Sequence, residues 1–232
     1  SEISNADDVI RQMRGASRGV VRIGGVASVV GGYVMAAISE MHPRHPDVQF
    51  HVVEDLEDRV LESLKTGDID IAISPEPYVD DEITLAAPDT LHDRVAVFAR
   101  ADHPSAAKPA VSLEEAAQME WALPPYSTPA VREWLRRFHA YSIEPKMPTV
   151  LSRSVPAIKS AVRLQGALCW MPEPVVRAEL ESGEIVAIQV PELEWRRTFR
   201  IYRRKKGLMT PSAAILVQSL QTTAEEWAHE VR

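Results

Sequence analysis

A chain of 232 residues with 45% hydrophobic and 25% charged side chains can bury one large core or two small ones. Its formal charge of −7 argues against a nucleic-acid-binding domain, which normally carries a basic face. The single cysteine, Cys169, excludes an internal disulfide and fits a reducing compartment, and no run approaches the roughly 20 apolar residues of a membrane-spanning helix.

The first 18 residues hold acids, amides and arginines instead of the apolar centre of a signal peptide, so the expected location is cytoplasmic. Asp7 to Arg14 places apolar residues at helical spacing, acids first and arginines last, and Gly15 ends that helix. The period then changes repeatedly. Val20-Val21-Arg22-Ile23-Gly24 reads as a strand, Gly31 to His42 as a helix broken by Pro43 and Pro46, and Val48 to Val53 as a second strand. Asp58 to Thr66 reads as a helix and Ile69 to Ile73 as a third strand. This βαβαβ order implies a parallel α/β unit, which binds ligands outside the carboxyl ends of its strands.

Further along, Ile83 to Ala86 and Arg94 to Arg100 read as two strands, and an Ala/Pro-rich stretch from Asp102 to Pro109 marks a crossing into a second domain. There Leu113 to Met119 reads as a helix, Trp121 to Leu123 as a strand, and Pro129 to Ala140 as a helix with Pro at its first position and Thr128 as N-cap. Thr149 to Leu151, Val155 to Leu164, Ala167 to Met171 and Glu173 to Glu181 continue the alternation as strand, helix, strand and helix. Ile185 to Val190 and Arg197 to Arg203 are expected strands, the latter returning to the first domain, and Ser212 to Glu230 is the last helix. In the basic stretch Arg196 to Lys206, alternating Phe199 and Ile201 predict a strand with one apolar side and solvated charges on the other.

Three segments carry a family resemblance: Arg18-Gly19-Val20-Val21-Arg22-Ile23-Gly24, the helix ending His42-Pro43-Arg44-His45-Pro46-Asp47-Val48, and Leu61 to Ile73 with Gly67-Asp68-Ile69-Asp70. His103-Pro104 and the run Val155 to Pro172, with Gly166 and Met171-Pro172, follow in the same order. Together they resemble the effector-binding domain of LysR-type transcriptional regulators over nearly the whole chain. The resemblance implies an α/β fold of two Rossmann-like subdomains with a ligand cleft between them, type 2 periplasmic-binding-protein-like. It implies a linker-helix remnant at 1–17, subdomain I at 18–99 and 203–232, and an inserted subdomain II at 100–202. It also implies a ligand sensor that performs no catalysis, works as a homodimer or tetramer, and reaches DNA only through a winged helix-turn-helix absent from this chain.

Candidate effector-binding residues sit in the strand-to-helix turns. Ser28, with Val29 beside it, lies in the first such turn, where a hydroxyl and free backbone N–H groups suit a carboxylate. Spacing alone does not separate that role from an ordinary capping serine; the family's common use of Ser or Thr there points to the effector. Tyr126, Ser127 and Thr128 form the corresponding turn of the second domain, with an aromatic ring able to stack on a flat ligand, or else a capped helix beside a surface tyrosine. Arg153 and Ser154 follow the strand at Val150, where a guanidinium can pair bidentately with a carboxylate or simply lie exposed. Glu57 matches a cleft position by resemblance only. The expected effector is an organic carboxylate, aromatic acids among them.

No cofactor, metal or membrane partner is expected. The glycine pairs Gly24-Gly25 and Gly31-Gly32 do not form G-x-G-x-x-G and read as turn and close-approach residues. The seven histidines lack metal-ligand spacing. No G-x-S-x-G elbow occurs. Two other classes remain: a periplasmic solute-binding protein for a small organic acid, and an enzyme built on the same lobes.

Overall fold

The computed structural model describes residues 19–75 and 80–230. The expected helix from Asp7 to Arg14 lies outside the described residues. The chain divides into two compact units: Asp93–Arg196 forms the second, and the chain on either side of it forms the first. The divisions fall inside two long strands, β4 (Ile83–Arg100) and β9 (Trp195–Arg204), which also hold the expected crossings at residues 100 and 202.

In the first unit, β1 (Val20–Gly25), β2 (Gln49–Glu54) and β3 (Ile71–Pro75) are parallel, with β9 antiparallel to β3, in the order β2-β1-β3-β9. Val20 lies opposite Gln49 and Gly25 opposite Glu54, while Ile23 to Gly25 pair with Ile71 to Ile73. Both faces of β1 and β3 are covered, which is why these strands read as continuous apolar runs. Val21, Ile23, Ile71 and Ile73 pack on one face with Tyr33, Met41, Leu216 and Leu220. These last come from α1 (residues 27–41) and from the final helix, Pro211–Glu230. On the other face Val60, Leu61 and Leu64 of α2 (Glu57–Thr66) meet Ala72 and Tyr202. Gly67 closes α2 in the left-handed conformation, φ 85°, a geometry that favours glycine.

α1 starts earlier than its glycines suggest. A π-helical stretch, Val30–Val34, joins α-helical Ala27–Val29 to α-helical Met35–Met41. Gly31 and Gly32 therefore lie within a helix, not ahead of one. A side chain at Gly31 would enter open space, so close approach does not explain that glycine. It does explain the earlier pair: a Cβ on Gly24 would lie 2.6 Å from Ile69 Cδ1, and one on Gly25 2.8 Å from Val29 Cγ2.

The second unit is built on β4, which pairs antiparallel with both β7 (Leu168–Pro172) and β8 (Ile185–Ile188). β7 is parallel to β5 (Trp121–Leu123), and β5 to β6 (Val150–Leu151). On one face Trp121, Trp134, Phe138, Leu168 and Trp170 form an aromatic core, with the Trp121 and Trp134 rings edge-on at 5.2 Å. Two of its buried indoles find acceptors, Trp121 Nε1 donating to Ala116 O at 2.9 Å and Trp170 Nε1 to Leu193 O at 2.6 Å, while Trp134 Nε1 has none among the described residues. On the other face Ile158 and Val162 of α5 (Val155–Gln165) cover Phe98, Cys169 and Met171. Two further helices, α3 (Leu113–Ala117) and α4 (Pro129–His139), precede α5 in the chain. A 3₁₀ turn, Glu173–Val176, leads into α6 (Arg177–Glu181), so the helix expected from Glu173 is α-helical only in its second half.

β4 also departs from expectation, since Ile83 to Ala86 and Arg94 to Arg100 belong to one strand. Pro88 offers no N–H to a ladder, which makes the segment read as a break. Its carbonyl instead accepts from the Arg200 guanidinium of β9.

Candidate functional site

In the first unit the candidate residues gather at the carboxyl ends of parallel strands. Val26 occupies the N-cap position of α1 without a side-chain cap, and Ser28 is the second helical residue instead of the cap. Ser28 is 3% exposed and Val29 4%. The backbone approach at Gly25 seats the first turn of α1 directly over β1, which fixes where Ser28 can be. Beside it, the N–H of Asp55 donates to Gly25 O at 3.2 Å and so brings the turn after β2 against the turn after β1. Glu57 follows as the first residue of α2, half-buried. At the same end of β3, the fully buried Ser74 hydroxyl has no hydrogen-bond partner among the described residues. A buried hydroxyl left so costs about 1 to 3 kcal/mol.

Arg197 supplies the residue that sequence patterning missed. Its Nη2 donates to Ser28 Oγ at 3.1 Å, and its guanidinium carbon lies 4.9 Å from the centre of the buried Phe199 ring. The expected division of β9 into an apolar and a solvated side is corrected here. Arg197 shares the apolar side with Phe199 and Ile201, and on the other side Arg200 and Arg204 are bound as well, while Arg196 is exposed. Arg204 Nη1 donates to Leu64 O at 2.9 Å and to Ile69 O at 2.6 Å, and Arg200 donates to Pro88 O. The signal was present in the parity of positions 197, 199 and 201, but a charged residue on an apolar parity reads as noise until its partner is known.

In the second unit the two candidate turns are neighbours. β5 and β6 are parallel with Leu123 opposite Leu151, and the N–H of Ser152 donates to Leu123 O at 3.0 Å. Tyr126, 39% exposed, and the exposed Ser127 lie in the turn after β5. Thr128 is the N-cap of α4, as expected, with Oγ1 accepting from Val131 N at 3.3 Å and donating to Pro125 O at 2.8 Å. Both hydrogen-bonding roles of that hydroxyl are thus engaged, and Thr128 is 2% exposed. After β6, Arg153 is exposed, and Ser154 is the N-cap of α5, accepting from Ala157 N at 3.4 Å.

Outside these turns, Cys169 and His103 are engaged in structure. Burial pushes the Cys169 thiol up to about 12, which keeps it an inert core atom. His103 Nδ1 accepts from Ser105 N at 3.1 Å and caps a 3₁₀ turn, with burial and then Arg100 holding its pKa below the ordinary histidine range. Among the described residues no group of three or more His, Cys, Asp or Glu side chains could hold a metal ion, and no helix is long and apolar enough to cross a membrane.

The family model of the LysR substrate binding domain matches residues 14–225. A RuBisCO operon transcriptional regulator from Allochromatium vinosum is 24% identical over 209 residues, which cover 90% of this chain and 68% of the relative. Among solved structures, the regulatory domain of CcmR from Synechocystis in complex with 2-PG superposes with a TM-score of 0.79 at 14% identity, covering 90% of this chain and 98% of that one. The effector binding domain of QuiR in complex with shikimate gives a TM-score of 0.74 at 16% identity, covering 90% and 98%. At these identities the structural likeness speaks to the fold, a mixed α/β architecture of the type 2 periplasmic-binding-protein kind.

Proposed function

The chain belongs to the LysR substrate binding domain family, and from that premise we propose that it is the effector-sensing region of a LysR-type transcription regulator whose effector is an organic carboxylate. The supporting observation is the placement of hydroxyl and guanidinium groups in turns at the carboxyl ends of parallel strands in both units. Ser28, Val29 and Glu57 contribute from the first unit. Tyr126, Ser127, Thr128, Arg153 and Ser154 contribute from the second. Thr128 and Ser154 act through their backbone and through the caps they form, Ser127 and Arg153 through side chains open to solvent, and Tyr126 through its ring.

Binding performs no chemistry in this reading. The effector shifts the balance between two arrangements of the protein by its different affinity for each. Within the longer regulator that shift controls a winged helix-turn-helix bound to DNA, in a homodimer or tetramer working in the cytoplasm. Acids are the favoured class because donors dominate the turns, and the structural relatives were solved with 2-PG and with shikimate.

A thermal-shift series with 2-PG, shikimate and benzoate tests this. A ligand at about 100 times its dissociation constant stabilises the fold by about 2.7 kcal/mol. Saturable stabilisation by an acid, reduced by Ser28→Ala and by Arg153→Ala, is the expected result. Conversion of the acid to product, or acid binding indifferent to both substitutions, would overturn the proposal.

A further inference from the structure

We propose that the cavity between the carboxyl-terminal end of α1 and the last helix of the first unit is a second ligand site, one that takes an uncharged polyhydroxy compound of monosaccharide size. The site is independent of the effector reading and shares no residue with the candidate turns. Ser28 stands in the first turn of α1, and the cavity opens beside the last one. Its volume is about 320 Å³, at the lower end of the roughly 300 to 1,000 Å³ of small-molecule sites. One wall is the end of α1 with the 3₁₀ turn His42–Arg44 that follows it, and the other is one stripe of the last helix. The charges point to a neutral ligand. The carboxylate and the guanidinium of the lining are already paired, Arg44 Nη2 donating to Glu40 Oε1 at 2.7 Å. A charged ligand is attracted by one member of this pair and repelled by the other, and it must also leave its own hydration.

The polar groups left over are of both kinds. Arg44 Nε and Nη1 and the Gln218 amide can donate, while Glu40 Oε2 and the Gln218 amide oxygen can accept, and none of these bonds another described residue. The His45 ring, equally without a partner among the described residues, adds a further nitrogen pair. Ser219 supplies a hydroxyl from the floor. It is 5% exposed, and a helical hydroxyl ordinarily gives its proton to the carbonyl one turn earlier. Thr222 does so to Gln218 O at 3.3 Å and Thr223 to Ser219 O at 2.9 Å. Ser219 makes no such bond among the described residues, which leaves its O–H for the cavity it lines. Beside it the fully buried Met41 and the half-buried Ile215 form an apolar patch. A sugar matches this composition: each hydroxyl both donates and accepts, and the C–H face of the ring packs on apolar atoms.

Nuclear magnetic resonance titrations of the 232-residue chain with D-glucose, D-ribose and D-xylose, and with gluconate and glucosamine as the anionic and cationic counterparts of glucose, test the site. Saturable shifts of the Ser219 backbone amide and the Gln218 side-chain amide are expected with at least one of the three sugars, and weaker ones at the same signals with gluconate and glucosamine. Ser219→Ala and Gln218→Ala should each weaken sugar binding by roughly 3- to 10-fold, the range of one neutral hydrogen bond. Alanine is the best helix former, so neither substitution should lower the unliganded melting temperature. Unpairing the charges should retune the site: Glu40→Gln turns the order of affinities towards gluconate, and Arg44→Met towards glucosamine. A surface ion pair beside an unused groove would produce neither reversal. Absence of shifts at these signals with all three sugars, or an equal response to glucose, gluconate and glucosamine, overturns the proposal. The same shifts appearing on raising the protein concentration without sugar would assign the cavity to a second copy of the chain and overturn it as well. The effector reading, tested at Ser28 and Arg153, survives each of these outcomes.

Discussion

The carboxylate of Asp70 holds the backbone of Arg22, Oδ2 accepting its N–H at 2.9 Å one residue before β3 begins. The same carboxylate lies 3.8 Å from the Arg22 guanidinium and 3.7 Å from that of Arg204, all three side chains being mostly buried. Arg204 in turn bonds the carbonyls of Leu64 and Ile69. One acid thus ties β1, α2, β3 and β9 together, towards the opposite end of the parallel strands from Ser28 and Ser74.

Asp70→Asn keeps the shape and removes the charge, leaving two part-buried arginines facing a neutral amide. The expected cost is about 2 to 3 kcal/mol, below that of a fully buried pair because all three groups keep some contact with water. Urea denaturation checks it. Acid binding at the turns should not change, since Asp70 and its two arginines lie towards the other end of the strands.

How far the sequence could be read depended on whether a feature is local. Thr128-Pro129 specifies a helix start by the chemistry of adjacent residues, and the structure places the cap there with its hydroxyl on Val131 N. The βαβαβ order was equally legible, because apolar periodicity reports each face's burial directly. Ser28 reads as lying before its helix because the pattern starts that helix at Gly31 and the Gly31-Gly32 pair reads as turn residues. The π-helical stretch absorbs both glycines, and no short-range rule anticipates that. Arg197 lay out of reach for a different reason. Its partner is 169 positions away in the chain, and only the fold says that an arginine on an apolar parity meets a hydroxyl.

His103 gives the chain a pH dependence of known sign. Its pKa is depressed in the folded state by burial, then by Arg100, and its unprotonated Nδ1 accepts the Ser105 N–H. A depressed folded pKa stabilises fully above the unfolded value, about 6.5, and the stabilisation is lost as pH falls through the folded value. His103→Ser keeps an acceptor at the same N-cap and does not titrate. Chemical denaturation between pH 5 and pH 8 should show a shallower acid-side decline in the variant than in the parent chain, and parallel curves would refute the capping role.

Cys169 predicts the opposite limb. Its folded pKa is pushed up to about 12 by complete burial, above the ordinary thiol value of about 8.5. A raised pKa stabilises below the unfolded value and loses that contribution as pH climbs towards the folded one, so the parent chain should weaken between about pH 8.5 and pH 12. Cys169→Ala removes this component at the expense of a small cavity. The thiol should also resist alkylation at neutral pH until the protein unfolds. Rapid labelling of the native chain would show that the strand Leu168–Pro172 opens far more easily than its packing implies.

Thr128 and Arg153 separate stability from recognition within neighbouring turns of the second unit. Thr128→Ala removes a buried hydroxyl that both caps α4 and bonds Pro125 O, so the unliganded chain should lose about 1 to 2 kcal/mol, and Thr128→Ser should recover most of it. Arg153→Ala removes an exposed side chain, which leaves the unliganded melting point within the small range of surface substitutions. Its effect should fall on acid binding alone, read as a smaller ligand-induced shift in melting temperature. A destabilised Arg153→Ala chain with unchanged affinity would make that arginine a structural residue and move acid recognition in this unit onto Ser127 and Tyr126.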